Sequence, residues 1–367
     1  MLRQLWTIAA NTFTEAIRQP IFGVVVLVGA LGLVLNVSLA AYSMEPGEGD
    51  NKMLIDLGLS TVFLSGLILA AFSATSAVSD EIESKTALTV VSKPVPRPLF
   101  VLGKYAGVSG AILLAYTILS LVFLLTLRHR VLQNASDHLD GPVWLFGFGG
   151  AVVALVYAAG GNYLYRRPFV SNLMVALLVC LTLGYAGVLV FAHDWEPQHP
   201  LTEFARAGEK LIQICIGLVL IFQAVLMLAA VAVAVSTRFG QVVTLLISIG
   251  VFFAGIVSNS LSGWVNSRLS LPGDVGVFES IAAVAQSSDI TLIQKTTYLG
   301  AKALYLVLPN LQFFWPADAI SQGHSMIHDL AGRVTLVPLA SVGVYGLLYT
   351  AALLALAVLL FQRREVS

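Results

Sequence analysis

Ionisable side chains are sparse in this chain, and one charged, proline-punctuated group of them is DEIESKTALTVVSKPVPRPLFVLGK, residues 80 to 104, set between two long apolar runs. Ser79 can cap a helix whose first turn carries Asp80, Glu81 and Glu83, where carboxylates are favoured by the positive end of the helix dipole. About three turns would follow, to Val91. Pro94, Pro96 and Pro98 then forbid continuation, because each lacks an amide donor and restricts the residue before it. Chemically this is a surface for charge pairing rather than for covalent work. A short stiff helix joined to its neighbours on both sides makes a lever, and an ordinary solvated loop is the alternative.

Two other groups carry residue types able to do chemistry. His324 and His328 stand at helical spacing with Met326 between them and Asp318 and Asp329 nearby, so a surface metal site is conceivable there. Solvated loop histidines are the commoner outcome, and His129, His138, His193 and His199 read that way as well. Cys180 and Cys215 fall inside apolar runs and read as small hydrophobes; no disulfide framework or CxxC metal site is indicated.

The elements that must position these residues are set by hydropathy. Of 367 residues, 57% are hydrophobic and 11% are charged, with mean hydropathy +0.87, whereas soluble domains carry roughly a quarter charged residues. A helix needs about 18 or more apolar residues to cross some 30 Å of hydrocarbon. Eight stretches qualify: 21 to 42, 57 to 78, 105 to 127, 143 to 165, 169 to 192, 211 to 237, 239 to 261 and 334 to 361. None contains Asp, Glu, Lys, Arg or His. The expected fold is therefore an all-α polytopic membrane protein. The ten-residue alternation of an outer-membrane barrel is absent.

Residues 1 to 20 read as an amphipathic helix at the membrane interface, with Leu2, Leu5, Trp6, Ala9, Phe13, Ala16 and Ile17 on one face and Pro20 ending it. A cleaved leader is the competing reading, disfavoured because the following apolar run is longer than a usual signal core. The first two spans occupy 21 to 78, the charged segment 79 to 104, and spans three to seven 105 to 261. The stretch 262 to 333 is an extracytoplasmic loop region with short helices at 278 to 287 and 291 to 306. The last span is 334 to 361, and 362 to 367 is a tail. In LYLVLPNLQFFWP, 304 to 316, Phe313, Phe314 and Trp315 suit the headgroup layer, as a cap on the membrane surface or as a lateral gate.

With both termini in the cytoplasm, the inside pieces hold 11 of the 20 Lys and Arg and only 5 of the 20 acids. The positive-inside rule favours that orientation. The neutral spans place Asn36, Ser38, Ser65, Asn162, Asn172, Gln213 and Gln223 as candidate lining of a path suited to amphipathic or lipid-like molecules. A secondary carrier or channel would ordinarily carry an ionisable group at mid-membrane. An intramembrane enzyme would need a nucleophile and base, or metal ligands, within reach of one another.

The stretch from Glu81 through Lys85 and Thr86 to SKPVPRPLFVLGKYAG resembles the signature of ABC-transporter permeases of the type-2 exporter class. STRFGQVVTLLISIG, 236 to 250, and LYLVLPNLQFF resemble the same family. The hairpin from 143 to 192, tipped by Arg166 and Arg167, departs from its commonest six-span layout. The resemblance implies a non-catalytic transmembrane subunit with a coupling helix over 79 to 93. Asp80, Glu81, Glu83, Lys85, Thr86, Lys93, Pro94, Arg97 and Lys104 would then be the ATPase-coupling residues. It implies a separate ABC ATPase that binds ATP and Mg, a second permease copy or paralogue, membrane lipids around the spans and no nucleic acid. It also implies residence in the cytoplasmic membrane of a prokaryote. No GxxxxGK[ST] phosphate loop occurs in the chain, so this subunit would hold no cofactor of its own.

Overall fold

The computed structural model describes residues 1–42, 48–83, 96–131, 139–268, 281, 282, 284, 286, 291–321 and 336–362. The chain is an all-α polytopic membrane protein. Among the described residues, eight helices are long and apolar enough to cross a bilayer, and each coincides with one of the eight apolar stretches. The only β pairing among the described residues is an isolated bridge between Phe191 and Pro197.

Helix α1, Leu2–Arg18, precedes the first span. The spans are α2 (Pro20–Ala40), α3 (Glu48–Glu83), α4 (Arg97–His129), α5 (Gly141–Tyr165), α6 (Phe169–Val190), α7 (Leu201–Ser236) and α8 (Gln241–Arg268). After α9 (Leu292–Val307) come a 3-10 turn at Leu311–Phe314 and α10 (Ala317–Ser321), and the last span is α11 (Val337–Gln362). Proline marks the starts. Pro20 opens α2, and Pro98 and Pro142 lie in the first turns of α4 and α5, where a missing amide hydrogen costs nothing. Helix α7 breaks its regular geometry at Gly208, with φ 58° and ψ −148°, a conformation that glycine tolerates for lack of a Cβ.

Two helices run well past the apolar stretches that announced them. Helix α3 begins at Glu48 and has 36 residues, about 54 Å at 1.5 Å per residue. Helix α4 begins at Arg97 and has 33 residues. Charged turns remain helical in water, so hydropathy underestimates both. The break expected at Ser79 is also absent: α3 is continuous through Ser79 to Glu83, with no glycine or proline after Gly66 to interrupt it. Asp80, Glu81 and Glu83 thus lie on an extension of the second span, not on the first turn of a separate helix.

The core consists of α3, α4 and α7. Buried residues make up 72% of the most apolar window of α7, against 17% for α5 and for α11. Small residues allow close approach where lipid supplies no hydrophobic drive between helices. A methyl on Gly66 would sit 2.8 Å from Val225 Cγ2, and one on Gly58 would overlap the Phe123 ring. Helices α5 and α6 form a peripheral hairpin, joined where Phe146 lies against Gly184 and Gly187.

Contacts also order the ends of the bundle. Gln19, in the elbow between α1 and α2, donates to Ser76 Oγ at 3.0 Å, and Gly23 faces Val170 at the start of α6. Tyr105 and Tyr116 of α4 donate to the carbonyls of Leu226 and Leu218, so α4 and α7 are antiparallel and the end of α7 lies beside the start of α4. Phe100 stacks on Phe361 with centroids 5.5 Å apart. One end of the bundle therefore gathers α1, the last turns of α3, the first turns of α4, the 166–168 turn, Arg238 and Gln362. It is the basic end, and the described part of the charged segment 79 to 104 belongs to it.

At the opposite end Asp140 is fully buried. Its carboxylate lies 3.2 Å from Arg128 Nε and 3.2 Å from His193 Nδ1, and it accepts the Val143 amide at 3.2 Å as the cap of α5. His129 accepts the Trp144 indole N–H at 3.0 Å. These two histidines are thus engaged by the α4–α5 and α6–α7 connections, not merely solvated. Removing one member of a buried pair costs about 3–5 kcal/mol, with a lost cap near 1 kcal/mol within that total. Asp140→Ala is expected to lose stability on this scale and Asp140→Asn, which keeps a capping oxygen, clearly less. Thermal unfolding in detergent measures the difference, and equal midpoints for wild type and Asp140→Ala would refute the clamp.

Candidate functional site

Two places in the fold are candidates for a functional site, one at each end. At the basic end, Asp80, Glu81 and Glu83 follow the Gln19–Ser76 contact by one to two turns of α3, and only their helical backbone is described. Lys85, Thr86, Lys93 and Pro94 lie outside the described residues, as do His324 and His328. Arg97 starts α4 and donates from Nη1 to the Gln362 carbonyl at 2.7 Å, which ties the stem to the end of α11.

Lys104 occupies a different environment. It is 2% exposed, with Nζ 4.0 Å from Glu15 Oε2 and 5.7 Å from the centroid of the Phe100 ring. Its ammonium is directed at α1 within the subunit and not at an outer surface. Gly103 and Gly107 flank it and seat α1: a methyl on Gly107 would lie 2.5 Å from the Ala9 carbonyl oxygen, and one on Gly103 2.8 Å from Ile8 Cγ2. The apolar stripe of α1 is consequently divided. Ala9, Ala16 and Ile17 are buried, with Phe13 packed against the same core, whereas Leu2 and Trp6 stay exposed. The GKYAG motif thus docks the N-terminal helix on the stem of the charged segment.

At the opposite end, the segment Pro309–Pro316 is wedged between helices, not laid over them. Gly255 of α8 admits the Pro309 carbonyl, Gly217 of α7 admits Pro316, and Gly346 of α11 admits Phe314. The Asn310 amide donates to Tyr345 Oη at 3.0 Å, and Tyr349 donates to the Val307 carbonyl at 2.6 Å. Phe314 is buried, Trp315 lies 5.8 Å from the Phe63 ring, and only Phe313 of the three aromatics is largely exposed. Gly255, at the Pro309 contact, lies six residues inside the end of its apolar stretch, so the wedge reaches about 9 Å below that end. The aromatic stretch is thus inserted into the bundle and not laid as a cap on its surface.

Beside the wedge lies an open cleft of about 660 Å³ between α3, α8 and the 3-10 turn. Phe63, Phe252, Leu311 and Trp315 form its apolar wall, and Ser60, Asn259 and Gln312 supply neutral polar groups. Its size is that of a small-molecule site, about 300–1,000 Å³. Among the described residues, no ionisable side chain lines it. It offers dispersion, aromatic stacking and a few hydrogen bonds, a chemistry suited to an amphipathic guest.

None of the seven polar residues expected on a path lines this cleft. Asn36 donates to Thr61 Oγ1 at 2.9 Å, Gln213 to Glu209 Oε1 at 3.0 Å and Gln223 to the Gly343 carbonyl at 2.6 Å. Asn162 donates to the Arg167 carbonyl at the α5–α6 tip. The bonds of Asn36 and Gln223 join neighbouring helices, and those of Gln213 and Asn162 are local. The residues that do line the cleft come from three distant stretches and share no local pattern.

Above the cleft, α9 packs on the end of α8. Lys302 is 2% exposed; its Nζ donates to Ser262 Oγ at 2.8 Å and stands 5.5 Å and 5.8 Å from the rings of Tyr298 and Tyr305. Burial pushes its pKa below the ordinary lysine value.

The fold and the two sites define a helical, multi-pass membrane protein with an intramembrane cleft. No known protein family matches the chain, and no curated protein matches it.

Proposed function

We propose that this chain is the membrane-spanning permease subunit of an ATP-driven ABC exporter. It would transmit work from a separate ATPase to the bundle, without chemistry of its own. The observation that carries this reading is the construction of the basic end. The segment whose sequence resembles the exporter-class coupling helix is flanked by α3, which is continuous to Glu83, and by α4 from Arg97, whose first turns grip α1 and α11. A push on residues 84–95 would reach two core helices directly. Two core helices that share one connection can be biased together between two arrangements, as a rocking motion needs.

In this reading the basic end is cytoplasmic by the positive-inside rule, and the membrane is a prokaryotic cytoplasmic membrane. ATP and Mg belong to the partner ATPase, and a second permease copy or paralogue completes the transport path. The cleft beside the wedge serves the substrate on the far side. The test is isolation of the intact complex from native membranes with a mild detergent. An ABC ATPase is expected in stoichiometric amount. Purification of the chain with no ATPase, together with transport driven by an ion gradient, would replace this reading by that of a secondary carrier.

A further inference from the structure

Lys302 is a buried cation whose described partners are one hydroxyl and two aromatic faces. An ammonium has three N–H donors. Ser262 takes one, and the tyrosine rings offer only the weaker attraction of their faces. Replacing such a charge with an apolar side chain of similar length is often neutral or stabilising, so packing alone gives no reason for a lysine here. The position gives one. Ser262 lies one turn of α8, about 4.5 Å along the axis, beyond Asn259 on the cleft wall, and the neighbouring Ser260 accepts a bond from Gln312 of the same wall.

We propose that the cleft and Lys302 together bind an anionic amphiphile. Its apolar part lies against Phe63, Phe252 and Trp315, and its acidic head group passes Asn259 to displace the Ser262 hydroxyl from Lys302. This deepens the exporter reading and rests on the cleft being the substrate's site. The cleft itself is neutral and accepts any amphipathic chain of suitable size; Lys302 makes the choice of charge.

The experiment uses the purified full-length chain in phosphatidylcholine nanodiscs, with Trp6, Trp144, Trp195 and Trp264 replaced by Phe so that Trp315 is the remaining indole. The probes are ω-bromoundecanoate and its neutral counterpart ω-bromoundecanol, whose bromine quenches a neighbouring indole. Saturable quenching is expected, with the carboxylate half-saturating at a concentration lower by about tenfold or more, the scale of one charge-assisted hydrogen bond. Lys302→Met is expected to bring the two probes level while melting at or above the parent temperature, and Lys302→Arg to retain the preference.

Equal affinities for the two probes in the parent, or a preference untouched by Lys302→Met, would overturn the proposal. So would quenching that rises linearly with both probes, since that is partition into the bilayer. The measurement needs neither ATP nor a partner subunit. Its failure leaves the exporter reading standing, and failure to find an ATPase leaves the binding result standing.

Discussion

If the chain is the proposed permease, reversing Glu81 and Glu83 to lysine is expected to abolish ATPase association or ATP-coupled transport while the chain still inserts in normal amount. The expectation follows from where α3 places these residues. They lie beyond the apolar part of the second span, past the Ser76 contact with the α1–α2 elbow, on a helix continuous with the bundle core. Both residues lie outside the apolar stretch 57 to 78, so the reversal leaves the hydropathy that drives insertion unchanged. At an interface the same double reversal changes the local charge by four, and like-charge juxtaposition costs several kcal/mol. A loss of association of a hundredfold or more is the expected scale. Co-purification with the ATPase and transport in reconstituted vesicles read the effect separately. Normal transport by the double variant would remove the coupling assignment.

Much of the fold is written in uninterrupted hydropathy. Eight apolar stretches became eight helices, since a chain in hydrocarbon must satisfy its backbone groups locally. What hydropathy missed is the helix that continues into water. Helix α3 starts at Glu48 instead of residue 57, and α4 at Arg97 instead of residue 105. The Asp140 cap was in principle readable, because Asp-Gly-Pro ahead of an apolar run combines a capping side chain with a proline in the first turn. Its pairing with Arg128 and His193 was not, because those partners arrive from other connections.

The candidate site was less legible than the fold. Polar residues inside apolar spans are natural guesses for a path, yet Asn36, Gln213 and Gln223 spend their hydrogen bonds within the bundle, as buried amides must. The wedge was hidden for a different reason. Its aromatics and prolines suit a surface cap, and only the juxtaposition of Gly217, Gly255 and Gly346 from three helices opens a slot for it. No local window of sequence contains that information. Lys302 falls in the loop stretch 262 to 333 with no local sign of burial, and its burial depends on α9 folding onto α8.

Gly107→Val is expected to detach α1 from α4, with a larger consequence for coupling than for folding. A Cβ at this position would meet the Ala9 oxygen at 2.5 Å, Thr12 Cβ at 2.6 Å and the Phe13 nitrogen at 3.0 Å. Two of these are backbone atoms, which no rotamer change can move. The helix as a whole must shift. Overpacking of this kind costs about 1–3 kcal/mol, which an eight-span bundle whose core is α3, α4 and α7 can survive. The shift would separate Glu15 from Lys104 and strain the Gln19–Ser76 contact, so the stems of residues 84–95 would lose their brace. Thr12 supplies the readout, because it is 1% exposed and its hydroxyl has no partner, which makes Thr12→Cys a mild change. With Cys180 and Cys215 replaced by Ala, the thiol at position 12 is expected to resist a water-soluble maleimide in the parent and to react in Gly107→Val. Gly160→Ala, at a site where a methyl meets nothing within 4 Å, should leave it protected. A protected thiol in Gly107→Val, with transport intact, would mean that α1 is not the brace that GKYAG builds.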